Sequence, residues 1–208
     1  MWYPILMIVL AGYLLGNLNG SVCMSTLLSH DDVRSHGSGN AGLTNFFRNY
    51  GGWGTLLVAI VDMAKTAVIC CIGGLLLEPY GYRLEGMILG GLCCSLGHEF
   101  PVLLGFRGGK GILCGFAAAI VTDWRVAVVI LIVFAITYGI TKYVSLGSVL
   151  SAITYGVCYT VWHLDRPWVA AGGVLMGLVA LYMHRTNIVR LVKGEESKVY
   201  LRKKGNRK

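Results

Sequence analysis

The chain has 208 residues, of which 55% are hydrophobic and 13% charged, and its net charge is +8. That balance excludes an ordinary soluble domain and points to one helical, polytopic membrane domain spanning residues 1–208. Seven cysteines show no CxxC pair and no zinc spacing, so free thiols and no metal site are expected.

Seven apolar segments follow in chain order, at roughly 3–24, 54–77, 84–104, 109–122, 126–141, 144–162 and 167–183. A full crossing needs about 20 residues, which makes the fourth and fifth short. The first reads as a retained helix, since no basic residue precedes Pro4. The fold class is therefore all-α, with about seven transmembrane helices. If all seven cross, fourteen Lys and Arg residues fall on one side and three on the other. Basic loops stay in the cytoplasm, so the N-terminus is expected outside and the C-terminus inside. The cluster Arg202, Lys203, Lys204, Arg207 and Lys208 reads as a solvated tail near anionic headgroups. No nucleic-acid module accompanies it.

Three polar stretches interrupt this apolar pattern, near residues 30–50, 97–111 and 184–196. The first runs Gly37-Ser38-Gly39-Asn40-Ala41-Gly42-Leu43-Thr44-Asn45-Phe46-Phe47-Arg48. Its G-x-G-x-x-G spacing matches a dinucleotide fingerprint, but that motif needs a preceding strand, and apolar helix candidates flank this one. The second runs Gly105-Phe106-Arg107-Gly108-Gly109-Lys110-Gly111. It fails as a Walker A loop, because Leu104 stands where glycine is needed and Gly111 replaces the magnesium-holding hydroxyl. Clustered backbone N–H groups and Lys110 suit a smaller phosphate, and a helix beginning near Gly111 would add its dipole. In the third, His184 and Asn187 are three apart and share a helix face. His98, just before Phe100-Pro101, and Ser145 with Ser148 are further polar candidates. Asp62 and Lys65, three apart inside a span, read most plainly as a structural ion pair.

These stretches resemble the motifs of the bacterial acyl-phosphate:glycerol-3-phosphate acyltransferases of the inner membrane. Asp32-Val33-Arg34 with residues 37–48 is similar to the family's first motif, residues 97–111 to the second, and His184 to Leu191 with Gly194 and Glu196 to the third. Tyr143-Val144-Ser145-Leu146 also matches. The resemblance covers nearly the whole chain. Cys23 and Ala41 stand where the family favours proline, and Cys114 where it often has threonine.

The resemblance implies a seven-helix inner-membrane enzyme with its active site toward the cytoplasm. It implies acyl transfer from acyl phosphate to the 1-hydroxyl of sn-glycerol 3-phosphate, giving lysophosphatidic acid and phosphate. The expected partners are these two substrates and membrane lipids, with no cofactor, nucleic acid or obligate protein partner. Ser38, Arg48, Lys110, His184 and Asn187 are the expected catalytic residues. Lys110 and the glycine-loop amides would hold phosphate, Arg48 and Asn187 would grip glycerol 3-phosphate, and His184 would orient substrate or accept a proton. Gly37, Gly39, Asn40, Gly42, Thr44, Asn45, His98, Gly108, Gly109, Gly111, Ser145 and Glu196 are the expected binding residues. Two rivals are weaker. A CoA- or carrier-protein-dependent acyltransferase would carry H-x-x-x-x-D, and none of the five histidines has Asp five residues later. A phosphate or lipid carrier would also need cationic loops and midplane polar groups, but the cationic motifs sit on one face and no inverted repeat is visible.

Overall fold

The computed structural model describes residues 2–200 and is all-helical, with no strand among the described residues. The basic cluster from Arg202 onward lies outside the described residues. The α-helices are α1 (Trp2–Gly16), α2 (Gly20–Ser29), α3 (Leu43–Asn49), α4 (Gly52–Leu77), α5 (Arg83–Glu99), α6 (Ile112–Thr122), α7 (Trp124–Thr141), α8 (Val144–Trp162), α9 (Pro167–Met183) and α10 (Arg185–Lys193). Five runs are long and apolar enough to cross a membrane, and six are if α9 with α10, bent by 56° at His184, is counted as one span. The protein is thus a helical membrane protein. At 11 residues, α6 is apolar but spans only about 16 Å.

The first apolar segment is not one straight helix. It breaks at Asn17-Leu18-Asn19, between α1 and α2. A buried ion pair on α4 staples the break. Asp62 and Lys65 lie 3.0 Å apart with side chains 2% exposed. Lys65 Nζ donates to the carbonyls of Gly16 (3.1 Å) and Leu18 (2.6 Å), a cation at the C-terminal end of α1. Asp62 accepts from the amide of Gly20 at 3.0 Å, an anion at the N-terminal end of α2. Asn19 caps α2 by accepting from the amide of Val22.

Around this staple, α1, α4 and α5 pack closely. Glycine permits it. A Cβ on Gly16 would fall 2.8 Å from Gly97 Cα, and one on Gly90 would fall 2.6 Å from the Ile69 carbonyl oxygen. Helices α7, α8 and α9 form a second layer, joined to the first through α6 and the α5–α9 contact. The outer surface is apolar. On α7, Ile132, Ile136 and Ile140 are exposed one turn apart, a stripe suited to lipid. At the far ends of these helices, Asp123 pairs with Arg125 at 2.7 Å and with His163 at 3.1 Å.

Candidate active site

The first glycine stretch is a folded loop, not a free turn. Asn45 Nδ2 lies 3.0–3.1 Å from the carbonyls of Val33, His36 and Asn40, and Asn45 Oδ1 accepts from the amide of Ser38. Its polar atoms are thereby committed to holding the loop. Gly37 and Gly39 take φ values of 57° and 69°, which favour glycine, and neither lines the cavity described below. They set the turn that presents Ser38 and Asn40. Asp32 grips Arg34, and Arg34 donates to the Leu104 carbonyl at 2.8 Å, tying the first loop to the second.

The second loop is tied from the inside. The amide of Gly109 donates to the His98 carbonyl at 3.0 Å, and the Gly108 carbonyl accepts from the amide of Ala41. Neither Gly108 nor Gly109 lines the cavity. The expected phosphate cradle of glycine-loop amides is therefore displaced: Gly109 is already engaged. The donors that border the cavity are Lys110 and the start of α6, where Gly111 (φ 72°) precedes a first turn whose N–H groups lack intrahelical partners. Lys65 Nζ lies 3.0 Å from His98 Nδ1, and an ammonium has only donors, so Nδ1 accepts. His98 therefore couples the helix-break staple to the glycine loop.

The third stretch closes the site. Asn187 Oδ1 accepts from Lys110 Nζ, while Asn187 Nδ2 donates to Glu196 Oε1 at 2.9 Å. Ser145 donates to the same oxygen at 2.9 Å, and Arg190 Nε donates to Glu196 Oε2 at 2.7 Å. Gly194 (φ 71°) ends α10 and turns the chain back so that Glu196 reaches α10 again. The strap is fastened further by Val199, whose amide donates to the Lys142 carbonyl, and by Arg48, which donates to the Ser197 carbonyl at 3.2 Å. His184 sits at the α9–α10 bend with Nδ1 2.8 Å from the Ala180 carbonyl. That bond makes Nδ1 the protonated nitrogen and leaves Nε2 as an acceptor when the ring is neutral.

Two charges are tuned here. Burial pushes Lys110 down to about 8, with Arg190 and Arg48 adding to the effect and Glu196 opposing it. Burial also works against the Glu196 charge. The hydrogen bonds from Arg190, Asn187 and Ser145 outweigh it and hold that carboxyl below the usual carboxylate range.

All three stretches border one cavity of about 360 Å³. Ser38, Arg48, Lys110, His184 and Asn187 line it, as do Asn40, Gly42, Thr44, Asn45, His98, Gly111, Ser145 and Glu196. Of the expected site residues, Gly37, Gly39, Gly108 and Gly109 stand behind it. The cavity also has members not expected from sequence. Arg190 is one, although His184, Asn187 and Arg190 at intervals of three carried the signal. Asp62 and Ser95 reach its floor, and an apolar arm passes Ile130, Leu131, Phe134, Ala152, Tyr155 and Met176. Cys114 is fully buried and does not line the cavity; its thiol faces the Asp62 carbonyl at 3.9 Å. Among the described residues, no group of three His, Cys, Asp or Glu side chains is placed to hold a metal ion.

Comparison with known proteins decides the family. The family described as glycerol-3-phosphate acyltransferase matches residues 6–194. The chain belongs to this family. A glycerol-3-phosphate acyltransferase of Finegoldia magna is 39% identical over 193 residues, covering 90% of this chain and 92% of the relative. One from Carboxydothermus hydrogenoformans is 32% identical over 201 residues, covering 97% and 100%. Among solved structures, the glycerol 3-phosphate form of PlsY, an integral membrane glycerol 3-phosphate acyltransferase, superposes with a TM-score of 0.85. It is 30% identical and covers 94% of this chain and 96% of that one. The lysophosphatidic acid form gives 0.81 at 28% identity, covering 94% and 95%.

Proposed function

We propose that the protein transfers a fatty acyl group from acyl phosphate to the 1-hydroxyl of sn-glycerol 3-phosphate, making lysophosphatidic acid and phosphate for phospholipid synthesis. The observation that carries this reading is the continuity of the cavity. Lys110, Arg48 and Arg190 line the same cavity as the apolar side chains of Phe134, Tyr155 and Met176. From Ser145 to Tyr155 the wall of α8 runs ten residues, about 15 Å along the helix.

In this reading the glycerol 3-phosphate hydroxyl attacks the acyl carbonyl. A carbon–oxygen ester bond forms, the anhydride carbon–oxygen bond breaks, and phosphate leaves with the electron pair. The hydroxyl proton passes to the departing phosphate or to His184 Nε2. Lys110 and the first turn of α6 hold phosphate, and Arg48 and Asn187 grip the acceptor. Ser38 and Thr44 shape the space between the reacting groups, and Glu196 keeps Asn187 and Arg190 in place. A mixed anhydride is already activated, so the main task is placement, which supplies about 7–11 kcal/mol when the geometry is right. An oriented donor at the developing charge adds about 3–4 kcal/mol.

The same reading places the protein in the bacterial cytoplasmic membrane as one domain. Seven crossings follow if the α1–α2 run, α4, α5, α6, α7, α8 and α9 each cross, with the N-terminus outside and the site toward the cytoplasm. Support comes from the fourteen basic residues gathered on one side under that arrangement. Reporter fusions at each end test the topology: a C-terminal fusion active only in the cytoplasm is expected, and a periplasmic C-terminus overturns it. Mass spectrometry of the lipid formed by pure protein from hexadecanoyl phosphate and glycerol 3-phosphate tests the reaction. One lysophosphatidic acid and one phosphate per turnover are expected.

A further inference from the structure

The outward face of α9 continues onto α10 without a change of side. Leu175, Leu178, Tyr182, Arg185, Val189 and Val192 are all exposed, at alternating intervals of three and four that keep one helical face. On α9 this face is Leu, Leu and a closing Tyr, the composition of a span against lipid with an aromatic residue at the boundary. The Arg185 guanidinium lies over the Tyr182 ring, 4.3 Å from its centre, so the first cation of α10 stands at that boundary. The 56° bend at His184 then turns α10 away from the line of α9.

Val189 is 52% and Val192 84% exposed, and the exposed cations Arg185 and Lys193 flank them. Such a face suits neither water nor hydrocarbon alone: the valines favour the acyl boundary, and the cations favour phosphate. On α10 the ion pair is Arg190 with Glu196, and Arg185 and Lys193 form none among the described residues. The opposite face of α10 belongs to the site, where Asn187 meets Lys110 and Arg190 holds Glu196. We infer that α10 is seated on the headgroup layer of the membrane that the chain spans. Val189 and Val192 enter the acyl boundary, and Arg185 and Lys193 take the phosphates of anionic phospholipids. This seat steadies the wall that carries Asn187, so anionic phospholipid activates the enzyme through a face that touches neither substrate. The activation rests on the acyl-transfer reading above; the seating does not.

The test places wild type, the double variant Arg185→Gln with Lys193→Gln, and the charge-keeping Arg185→Lys in two kinds of vesicle. One is phosphatidylcholine, and the other is equal parts phosphatidylcholine and phosphatidylglycerol. Hydrogen exchange reads the α10 amides, and kcat at saturating substrates reads the site. In the wild type, phosphatidylglycerol is expected to slow α10 exchange and to raise kcat about fivefold or more. Both responses are expected to vanish in the double variant, whose kcat in phosphatidylcholine stays near that of wild type, and to persist in Arg185→Lys. Equal exchange in the two vesicles, or a response that survives in the double variant, overturns the inference and leaves a protein partner as the occupant of this face. Slowed exchange with an unchanged kcat overturns the activation and keeps the seating. A wild type inactive in both vesicles, with α10 exchange still slowed by phosphatidylglycerol, overturns the reaction reading and leaves the seating standing.

Discussion

Asn187 joins Lys110 to Glu196: its amide oxygen accepts from the lysine ammonium, and its amide nitrogen donates to the carboxylate 2.9 Å away. A half-buried cation and a buried carboxylate are thereby held apart but aligned, with the neutral amide as spacer. Asn187→Leu keeps the volume and removes both bonds. A hydrogen bond to a charged group contributes about 1.5–3 kcal/mol, and losing the equivalent of one from the transition state lowers kcat/KM about tenfold to a hundredfold. Steady-state kinetics on folded protein checks this, and wild-type rates would remove Asn187 from the site.

Lys110 gives a pH dependence with a definite sign. Its pKa is pushed down to about 8, so the ammonium is charged below that pH and neutral above it. An anionic ligand prefers the charged form. The KM for acyl phosphate, whose phosphate Lys110 holds in this reading, is therefore expected to rise as pH passes 8. Bound phosphate stabilises the ammonium, so kcat is expected to fall only at higher pH. Lys110→Arg stays charged throughout and flattens the KM profile. Lys110→Ala is expected to lower kcat about a hundredfold or more with little change in thermal midpoint.

The Asp62–Lys65 pair makes a prediction about stability. Both side chains are 2% exposed, and together they cap the facing ends of α1 and α2. Removing one partner leaves an uncompensated buried charge, which costs about 3–5 kcal/mol. Lys65→Met is expected to lower the thermal midpoint in detergent strongly. The double variant Asp62→Leu with Lys65→Met is expected to recover part of the loss. A thermal midpoint unmoved by Lys65→Met would show that the staple contributes nothing.

Much of this fold was legible because lipid-facing and packed helices share one apolar signal. Segments 144–162 and 167–183 coincide with α8 and α9, and 54–77 differs from α4 by two residues at the start. The break at residues 17–19 was not legible. Two asparagines hardly dilute a long apolar run, and their meaning appears only when Lys65 and Asp62 arrive from α4. Likewise, 109–122 begins as loop, because Gly109 and Lys110 serve the site and α6 starts at Ile112. In the site, charged and polar side chains in the motifs were readable, and the cavity gathers them. The separation of Gly111 from Gly108 and Gly109 was not, since one backbone hydrogen bond to the His98 carbonyl decides it. The apolar arm was equally hidden, because Phe134, Tyr155 and Met176 look like any span residues until three helices bring them together.

Cys114 stands where the family often has a hydroxyl, and the structure turns it away from the cavity toward the Asp62 carbonyl. Cys114→Thr is expected to leave kcat and both KM values within about twofold, the change staying below roughly 0.5 kcal/mol of transition-state stabilisation. Kinetics of this variant checks that position 114 serves packing. A gain or loss of tenfold or more would place its side chain in contact with substrate after all.

The central claim is a phosphate-activated donor and a glycerol phosphate acceptor meeting in one cavity. Pure protein in detergent, given hexadecanoyl phosphate and labelled glycerol 3-phosphate, tests it most directly, with hexadecanoyl-CoA as donor in a parallel reaction. Labelled lysophosphatidic acid from the acyl phosphate alone is the predicted result. Product from the CoA donor alone would contradict the donor assignment. No product from either, in folded protein, would contradict the enzyme reading and leave a carrier as the function to pursue.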